Sequence, residues 1–310
     1  MTFDAILTHP RLKLFLALSR TPHGIIDIAT PALAALLCLG HFPPFFTTLL
    51  GLVTVFAGYT AVYALNDLVD YRSDREKVSA GGYGDGEDYL DGVLVRHPLA
   101  KGVLTLPEGM LWAGGWALVA MIGAWLLNPV CFAIFLAGGL LEATYCLLWR
   151  VTPFRALING IVKSLGAVAA VYAVTPQPSI IFLIVLFAWI FFWEIGGQNI
   201  PNDWTDIEED RRFKARTIPV KLGPARAGML AMACLVAAFF LTFLLVWISP
   251  LAFGTLHLLA LAGLGLWLLL LPVLRLVNAN DRSQAMDLFN KASHFPLSVF
   301  VVVLVRLLLF

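Results

Sequence analysis

The stretch NDLVDYRSD at residues 66–74 recurs as NDWTDIEED at residues 202–210. Both copies follow the pattern N-D-x-x-D-x-x-x-D, and each copy closes a long apolar segment. An α-helix advances by about 100° per residue, so the four pattern positions fall within about 100° of one another on the helix surface. Each copy therefore predicts one amide and three carboxylates on a single helix face.

Two such faces that meet would form a polyanionic cup. Carboxylates packed this closely repel one another unless a cation offsets their charge, and hard oxygen ligands suit Mg²⁺. Because Mg²⁺ commonly bridges protein carboxylates to the phosphate oxygens of a substrate, the repeat predicts a metal-bridged diphosphate. The alternative is a pair of solvated acidic helix ends, which the recurrence of the same pattern in the same context disfavours.

The composition predicts an all-α polytopic membrane protein. The chain has 310 residues, of which 60% are hydrophobic and 13% charged, and its mean hydropathy is +0.84. This is too apolar for a soluble domain, and segments of about 20 apolar residues cross a bilayer as helices. Nine such segments, arranged around a central cavity, are predicted at 23–42, 46–66, 109–127, 129–149, 156–175, 179–200, 227–248, 251–274 and 292–310.

The basic residues predict the orientation of these segments. Of the 21 Lys and Arg residues, 19 fall in the N-terminal segment or in the connections after segments two, four, six and eight. The exceptions are Lys163 and Arg306. Cytoplasmic loops are enriched in Lys and Arg, so the N-terminus and both acidic motifs are predicted to be cytoplasmic and the C-terminus to lie outside.

The rest of the chain is assigned around these segments. Residues 1–22 combine many apolar side chains with Arg11, Lys13 and Arg20 and predict a short amphipathic helix on the membrane surface. Residues 23–310 are predicted to form one transmembrane domain, with the motifs on cytoplasmic loops at 67–108 and 201–226. The glycine-rich acidic insert at 80–91 predicts a solvated lid or a disordered insert.

Several classes of function are disfavoured. A net charge of +1 gives no reason to expect a nucleic-acid partner, and no protein partner is evident. The four cysteines are scattered singly through apolar segments, where a cysteine behaves as a small hydrophobe. No disulfide framework or cysteine metal site is expected.

Ionisable residues inside the predicted segments are costly in lipid and are expected to face an interior cavity. Glu194 and Gln198 continue the spacing of the second motif up the sixth segment, and they predict a polar pocket wall. Pro201 is expected to kink or end that helix, because it interrupts the hydrogen-bond ladder. Lys163 is open to two interpretations, an ion pair with a segment carboxylate or a contact with substrate. The ionisable residues within segments are Asp27, Glu142, Lys163 and Glu194.

Cations crowd the loops that follow the motifs. The positive-inside bias explains most of them, but guanidinium and ammonium groups would also hold the charge of a diphosphate. The predicted substrate-binding residues are Arg72, Lys77, Arg96, Lys101, Tyr145, Arg150, Lys163, Glu194, Gln198, Lys214 and Arg216.

With these features in place, the sequence resembles the UbiA superfamily of intramembrane prenyltransferases. The resemblance is carried by nine segments with one acidic motif after the second and another after the sixth. RHPLAKG at 96–102 is similar to the family's R-P-L-A-x-G stretch, and KARTIPV at 214–220 is similar to its K-T-x-P segment. Tyr145 and Arg150 match the tyrosine and the basic residue that follow the fourth helix.

The resemblance implies transfer of a prenyl or polyprenyl group from an isoprenoid diphosphate to a small-molecule acceptor, with release of diphosphate. It implies two Mg²⁺ ions, for which Mn²⁺ can substitute. The implied ligands are Asn66, Asp70, Asp74, Asp206 and Asp210, with Asp67, Asn202 and Asp203 in support. Of these, the implied catalytic residues are Asp70, Asp74, Asp206 and Asp210.

The identity of the acceptor stays open. An aromatic quinone precursor such as a hydroxybenzoate leads, and a tetrapyrrole, a carotenoid end group, a lipid glycerol and a phosphosugar are alternatives. The implied location is the cytoplasmic membrane of a prokaryote, with the lipid bilayer as the other partner. A cation transporter with intramembrane carboxylates is the alternative of another class, although such transporters often carry inverted repeats and these two motifs share one orientation.

Overall fold

The computed structural model describes residues 10–81 and 94–309, and all the regular secondary structure in these two stretches is helical. The all-α prediction is thereby confirmed. Most of the glycine-rich insert lies outside the described residues. Nine helices in the described stretches are long and apolar enough to cross a membrane. They are numbered spans 1 to 9 and comprise Thr21–Leu39, Phe45–Val69, Leu106–Leu127, Pro129–Leu147, Arg155–Val174, Ile180–Thr205, Pro224–Ile248, Thr255–Ala279 and Arg282–Leu309.

Four spans are composed of shorter pieces, and four short helices lie outside the spans. The pieces are Thr21–Asp27 and Ala29–Leu39 in span 1, Ile180–Trp193, Glu194–Asn199 and Ile200–Thr205 in span 6, Thr255–Gly265, Leu266–Leu270 and Leu271–Ala279 in span 8, and Arg282–Ser293 and Phe295–Leu309 in span 9. Glu194–Asn199 and Leu266–Leu270 are π-helical. The short helices are Pro10–Leu18, Tyr71–Ser79, Ile207–Arg212 and Ile218–Leu222.

Local sequence signals start several of the spans. Thr105 and Glu108 form a reciprocal capping box at the beginning of span 3. Asn128 accepts a hydrogen bond from the Val130 amide and so caps span 4, which follows span 3 without a loop. Side chains at these positions satisfy amide groups that a helix end leaves without a partner.

Some predicted segment boundaries differ from the helix ends in the structure, at places where the helices contain charged residues. Span 9 begins at Arg282, ten residues before the predicted start at 292, because Arg282–Ser293 is amphipathic and contains Asp287 and Lys291. The motif loops are also shorter than predicted. Residues 67–69 and 201–205 are still helical, so the connections begin at positions 70 and 206.

Span 6 does not end at Pro201, so one of the two expectations for this residue, that it ends the helix, was wrong. The helix continues to Thr205, directly after the π-helical turn Glu194–Asn199. Gly196 belongs to the same turn, and a Cβ at this position would meet the Ala231 carbonyl oxygen at 2.8 Å. The turn therefore packs directly against span 7.

The largest fully buried side chains, Trp189, Trp193 and Phe295, hold spans 6 and 9 together. Beside this core lies a cavity of about 820 Å³. Motif residues of both copies line one end, and Thr47 at the start of span 2 and Val174 at the end of span 5 line the other. The cavity therefore runs across most of the depth of the bundle.

Candidate active site

Both motifs have the same backbone arrangement. In the first, the helix of span 2 ends at Val69 and a short helix begins at Tyr71, so Asp70 stands at the junction. In the second, Asp206 stands at the junction between span 6 and Ile207–Arg212. The polar residues on both sides of each junction reach the cavity. All eight predicted ligand residues line it: Asn66, Asp67, Asp70, Asp74, Asn202, Asp203, Asp206 and Asp210.

Two cationic side chains contact the first motif. Arg20 donates from Nη2 to Asn66 Oδ1 and to Asp67 Oδ1, both at 3.2 Å. His97 Nδ1 lies 3.0 Å from Asp74 Oδ2 and 3.6 Å from Asp67 Oδ1. Arg20 and His97 both adopt a left-handed backbone conformation, with φ of 43° and 52°. That conformation is uncommon for residues other than glycine and tends to occur at functional sites, and here it directs both side chains to the buried carboxylates.

Two arginines from different elements contact the second motif. Arg155, at the start of span 5, donates to Asp203 Oδ1 at 2.9 Å, and its guanidinium lies 4.6 Å from the centre of the Tyr145 ring. Arg96 Nη2 lies 3.2 Å from Asp206 Oδ2. Arg96 belongs to the connection that leaves the first motif, so that connection reaches the second motif.

Burial raises the pKa values of two carboxyl groups in the cup, one in each motif. Burial, followed by the neighbouring Asp74 carboxylate, raises the pKa of Asp70 to about 6. Burial and the Asp203 carboxylate raise the pKa of Asp210 to about 7. Burial alone would lower the pKa of His97, but the Asp67 and Asp74 carboxylates raise it above its ordinary value. The carboxylates are crowded enough that further positive charge would favour their ionised forms.

The donor atoms suit a hard divalent cation. Ligand atoms of Asp67, Asp74 and His97 all lie within 4.8 Å of one another. Carboxylate and amide oxygens predominate in the cup, which is the ligand chemistry of Mg²⁺ rather than of a soft metal. Asn66 donates from Nδ2 to Glu142 Oε1 at 2.8 Å, which leaves its amide oxygen turned to the cup.

A second polar cluster lies deeper in the cavity. Lys163 donates to Asp27 Oδ2 at 2.5 Å and to the Tyr63 hydroxyl at 3.2 Å, and Tyr63 donates to Asp27. The structure thus favours the ion-pair interpretation of Lys163. Four residues before Lys163 on the same span, Asn159 donates to Glu194 Oε1 of span 6 at 2.9 Å.

The predicted substrate-binding residues divide into two groups. Gln198 lines the cavity, but its amide bonds to the Gly197 and Phe289 carbonyls and to the Ser293 hydroxyl, so it fastens span 6 to span 9. The residues on the cavity wall are Lys77, Arg96, Lys101, Tyr145, Lys163, Glu194 and Gln198.

Four predicted residues are not placed on the cavity wall. Arg150 bonds to Glu76 Oε2 at 2.8 Å and to the Phe213 carbonyl, and Arg216 donates to the Val151 carbonyl. Arg72 and Lys214 are exposed. Because Arg150 and Arg216 join the connections to each other, these basic residues stabilise the loops rather than face the cup.

Sequence reasoning missed Arg20, His97 and Arg155 as site residues. All three fall where positive-inside bias or a motif substitution already explains a basic residue. A further signal was the position of Arg20 directly before span 1 and of Arg155 at the start of span 5, where a side chain can reach the mouth of a cavity between helices. Glu142 was identified only as an ionisable residue within a span.

Comparison with known proteins identifies the relatives of this chain. A model of the UbiA prenyltransferase family matches residues 28–298. The chain is 26% identical over 212 residues to a digeranylgeranylglyceryl phosphate synthase from Thermococcus sibiricus, covering 68% of this chain and 69% of the relative. It is 26% identical over 211 residues to a protein of the same name from Methanosarcina mazei, covering 66% of this chain and 70% of the relative.

Solved structures share the fold. An apo UbiA homologue from Aeropyrum pernix K1 matches with a TM-score of 0.75 at 20% identity, over 92% of this chain and 98% of that one. A UbiA homologue from Archaeoglobus fulgidus bound to DMAPP and Mg²⁺ matches with a TM-score of 0.64 at 17% identity, over 94% of this chain and 99% of that one.

Proposed function

The chain belongs to the UbiA prenyltransferase family, and from this premise we propose that it transfers a prenyl group from an isoprenoid diphosphate to a small-molecule acceptor in a Mg²⁺-dependent reaction. One observation carries the proposal. Two copies of one acidic motif line the same cavity of an integral membrane protein, and Arg96 joins the connection after the first copy to Asp206 in the second. The Archaeoglobus relative bound to DMAPP and Mg²⁺ supports the same combination of ligands.

The motif carboxylates would hold the metal. Asn66, Asp70 and Asp74 of the first copy and Asp206 and Asp210 of the second are the proposed ligands of two ions. When bound, Mg²⁺ neutralises the diphosphate as the allylic C–O bond breaks, which stabilises charge that develops in the transition state. The first carboxyl group of each motif would support the ligands, because Asp67 and Asp203 are already paired with Arg20 and Arg155.

The cup arginines would bind the remaining charge of the diphosphate. Guanidinium groups bind phosphate oxygens bidentately, and Arg20, Arg96 and Arg155 already lie within 3.2 Å of motif oxygens. A group held at this place can contact the substrate without a large movement. Lys77, whose Nζ lies 3.4 Å from Glu209 Oε1, adds a fourth cation at the mouth.

Aromatic and apolar walls would protect a carbocation from water. Tyr59, Tyr63 and Phe135 line the cavity below the cup. Aromatic faces attract positive charge, and exclusion of water prevents premature hydrolysis. The far end of the cavity, between Thr47 and Val174, offers room for the isoprenoid tail.

Two acceptor classes remain candidates. The family resemblance favours an aromatic quinone precursor such as a hydroxybenzoate. The relatives from Thermococcus sibiricus and Methanosarcina mazei are named digeranylgeranylglyceryl phosphate synthases, which favours a glycerol phosphate lipid. Incubating membranes that contain the protein with geranylgeranyl diphosphate and Mg²⁺, and identifying the prenylated product by mass spectrometry, distinguishes them. Membranes that contain the Asp70→Asn variant serve as the control.

The proposed location is the cytoplasmic membrane of a prokaryote, with the site open to the cytoplasm. The distribution of Lys and Arg supports this orientation. A reporter fused after Phe310 should therefore be active only outside the cytoplasm. Reporter activity restricted to the cytoplasm would show that the protein has the opposite orientation.

A further inference from the structure

Two residues of the π-helical turn of span 6 line the cavity and carry side-chain oxygens without a hydrogen-bond partner among the described residues. Glu194 and Asn199 stand at its two ends, are 5% and 4% exposed, and line the cavity. Glu194 Oε2 and Asn199 Oδ1 are both buried and have no hydrogen-bond partner among the described residues. A buried polar atom without a partner is costly, and π-turns occur frequently at functional sites.

The other polar atom of each side chain is already held. Asn159 donates to Glu194 Oε1 at 2.9 Å, and Asn199 Nδ2 donates to the Tyr145 hydroxyl at 3.3 Å. Both side chains are therefore fixed, and each leaves one oxygen for a ligand. Because each remaining oxygen accepts hydrogen bonds, the complementary ligand must donate them.

The charges around the turn restrict the ligand further. The nearby cations are already paired, Lys163 with Asp27 and Arg155 with Asp203. An anionic group placed against Glu194 would be repelled by the Glu194 carboxyl group, and Lys163, the cation that acts on Glu194, already bonds to Asp27. An uncharged hydroxyl group avoids this unfavourable interaction between two negative charges.

The position of the turn suits an acceptor of the prenyl group. Asn199 is three residues before Asn202, the first residue of the second motif, so the turn continues the wall of the cup into the cavity. A molecule bound there would lie beside a prenyl chain whose diphosphate occupies the cup.

We propose that Glu194 and Asn199 form the recognition site for the acceptor, and that the acceptor presents two uncharged hydroxyl groups to them. This inference rests on the proposed function. It favours an acceptor with two uncharged hydroxyl groups, such as a dihydroxyaromatic, over a hydroxybenzoate or a once-prenylated glycerol phosphate, each of which offers one. Any carboxylate or phosphate of the acceptor must point away from this turn.

The test compares probes that differ only in their hydroxyl groups. Purified protein with geranylgeranyl diphosphate and Mg²⁺ is supplied, under argon, with 1,4-dihydroxynaphthalene, its monomethyl ether or its dimethyl ether. A parallel arm uses 1-O-geranylgeranylglycerol and its monomethyl ether, which keeps one hydroxyl as the nucleophile. We expect one of the two diols to be prenylated, and its KM to be at least about tenfold below that of its monomethyl ether.

Variants show whether the two oxygens cause this preference. Glu194→Leu and Asn199→Leu should each reduce the preference for the diol to less than about threefold, while slow Mg²⁺-dependent cleavage of geranylgeranyl diphosphate without acceptor persists. Ser164→Ala is the matched control, because Ser164 is buried in span 5, does not line the cavity and bonds only to the Gly160 and Phe187 carbonyls. If Glu194→Leu does not fold, Glu194→Gln replaces it.

Three results would overturn the assignment: equal KM values for a diol and its monomethyl ether, an undiminished preference in both leucine variants, or cleavage of the diphosphate without prenylation of either diol. In all three the proposed function survives, because the diphosphate is still cleaved. Absence of Mg²⁺-dependent cleavage in the wild-type protein would instead overturn both.

Discussion

Arg96 and Asp206 form an ion pair of 3.2 Å although 110 residues separate them in the chain. Arg96 belongs to the connection after the first motif and Asp206 to the second motif, so this pair links the two halves of the site. The pair is partly exposed at the mouth of the cavity, where a diphosphate would enter. Its arginine can exchange a carboxylate partner for a phosphate partner without leaving the site.

Replacing Arg96 should weaken binding of the prenyl diphosphate. We expect Arg96→Gln to raise the KM for geranylgeranyl diphosphate by about tenfold, because one charge-assisted contact to phosphate is lost. Steady-state kinetics measure the change. Arg275→Gln, at an exposed position on span 8, is the matched control and should leave KM unchanged. An equal effect of both substitutions would show that only the overall positive charge matters.

Asp70 and Asp206 occupy equivalent junctions and should have equivalent roles. Each asparagine variant, Asp70→Asn or Asp206→Asn, keeps the shape of the side chain but removes one charge from the cup. We expect kcat to fall by about 10²-fold or more in each, on the scale of losing a key electrostatic stabiliser. Asp287→Asn, in a surface pair with Lys291, should change kcat little. Near-normal turnover in the two motif variants would remove the catalytic role of the repeat.

The close approach of spans 6 and 7 at Gly196 should be sensitive to a single methyl group. A Cβ there would lie 2.8 Å from both the Ala231 carbonyl oxygen and Cys234 Cβ. Gly196→Ala is therefore expected to destabilise the protein by about 1–3 kcal/mol through overpacking. Gly263→Ala, where no atom lies within 4 Å of the new Cβ, should be neutral or stabilising. Thermal unfolding in detergent compares the two, and equal melting temperatures would contradict the packing account.

Removing both charges of the buried Lys163–Asp27 pair should cost less stability than removing the Lys163 charge alone. Lys163→Met leaves the Asp27 carboxylate buried without its cation and is expected to cost about 3 kcal/mol or more. The double variant Asp27→Asn with Lys163→Met removes both charges and should recover most of the lost stability. Thermal unfolding of the single and double variants measures the recovery. A double variant as unstable as Lys163→Met alone would mean that the unpaired Asp27 carboxylate is not the cause of the lost stability.

Much of the architecture could be predicted from the sequence because hydrophobic runs determine membrane spans. The count of nine and the position of both motifs at helix ends follow from that pattern. The start of span 9 could not be predicted from hydrophobic runs, because Arg282–Ser293 is amphipathic and buries only one face. The π-turn that precedes Pro201 in span 6 could not be predicted either, because the local sequence carries no clear signal for it.

The site was predicted in part for a similar reason. The carboxylates repeat in the chain and could be recognised, whereas their cationic partners come from unrelated elements. Arg20 precedes span 1, His97 lies in a connection and Arg155 begins span 5. Their roles depend on long-range packing that brings these elements to one cavity mouth. Residues such as Arg150, by contrast, have the expected charge but bond to loop groups.

The most direct measurement of the central claim is metal-dependent release of pyrophosphate by the purified protein. The protein is incubated with labelled geranylgeranyl diphosphate in a membrane extract that supplies acceptors, with Mg²⁺ or with excess chelator. The account predicts release of pyrophosphate together with a prenylated product in Mg²⁺, and loss of both in chelator and in the Asp70→Asn variant. Full turnover in excess chelator, or equal turnover by the Asp70→Asn variant, would contradict it.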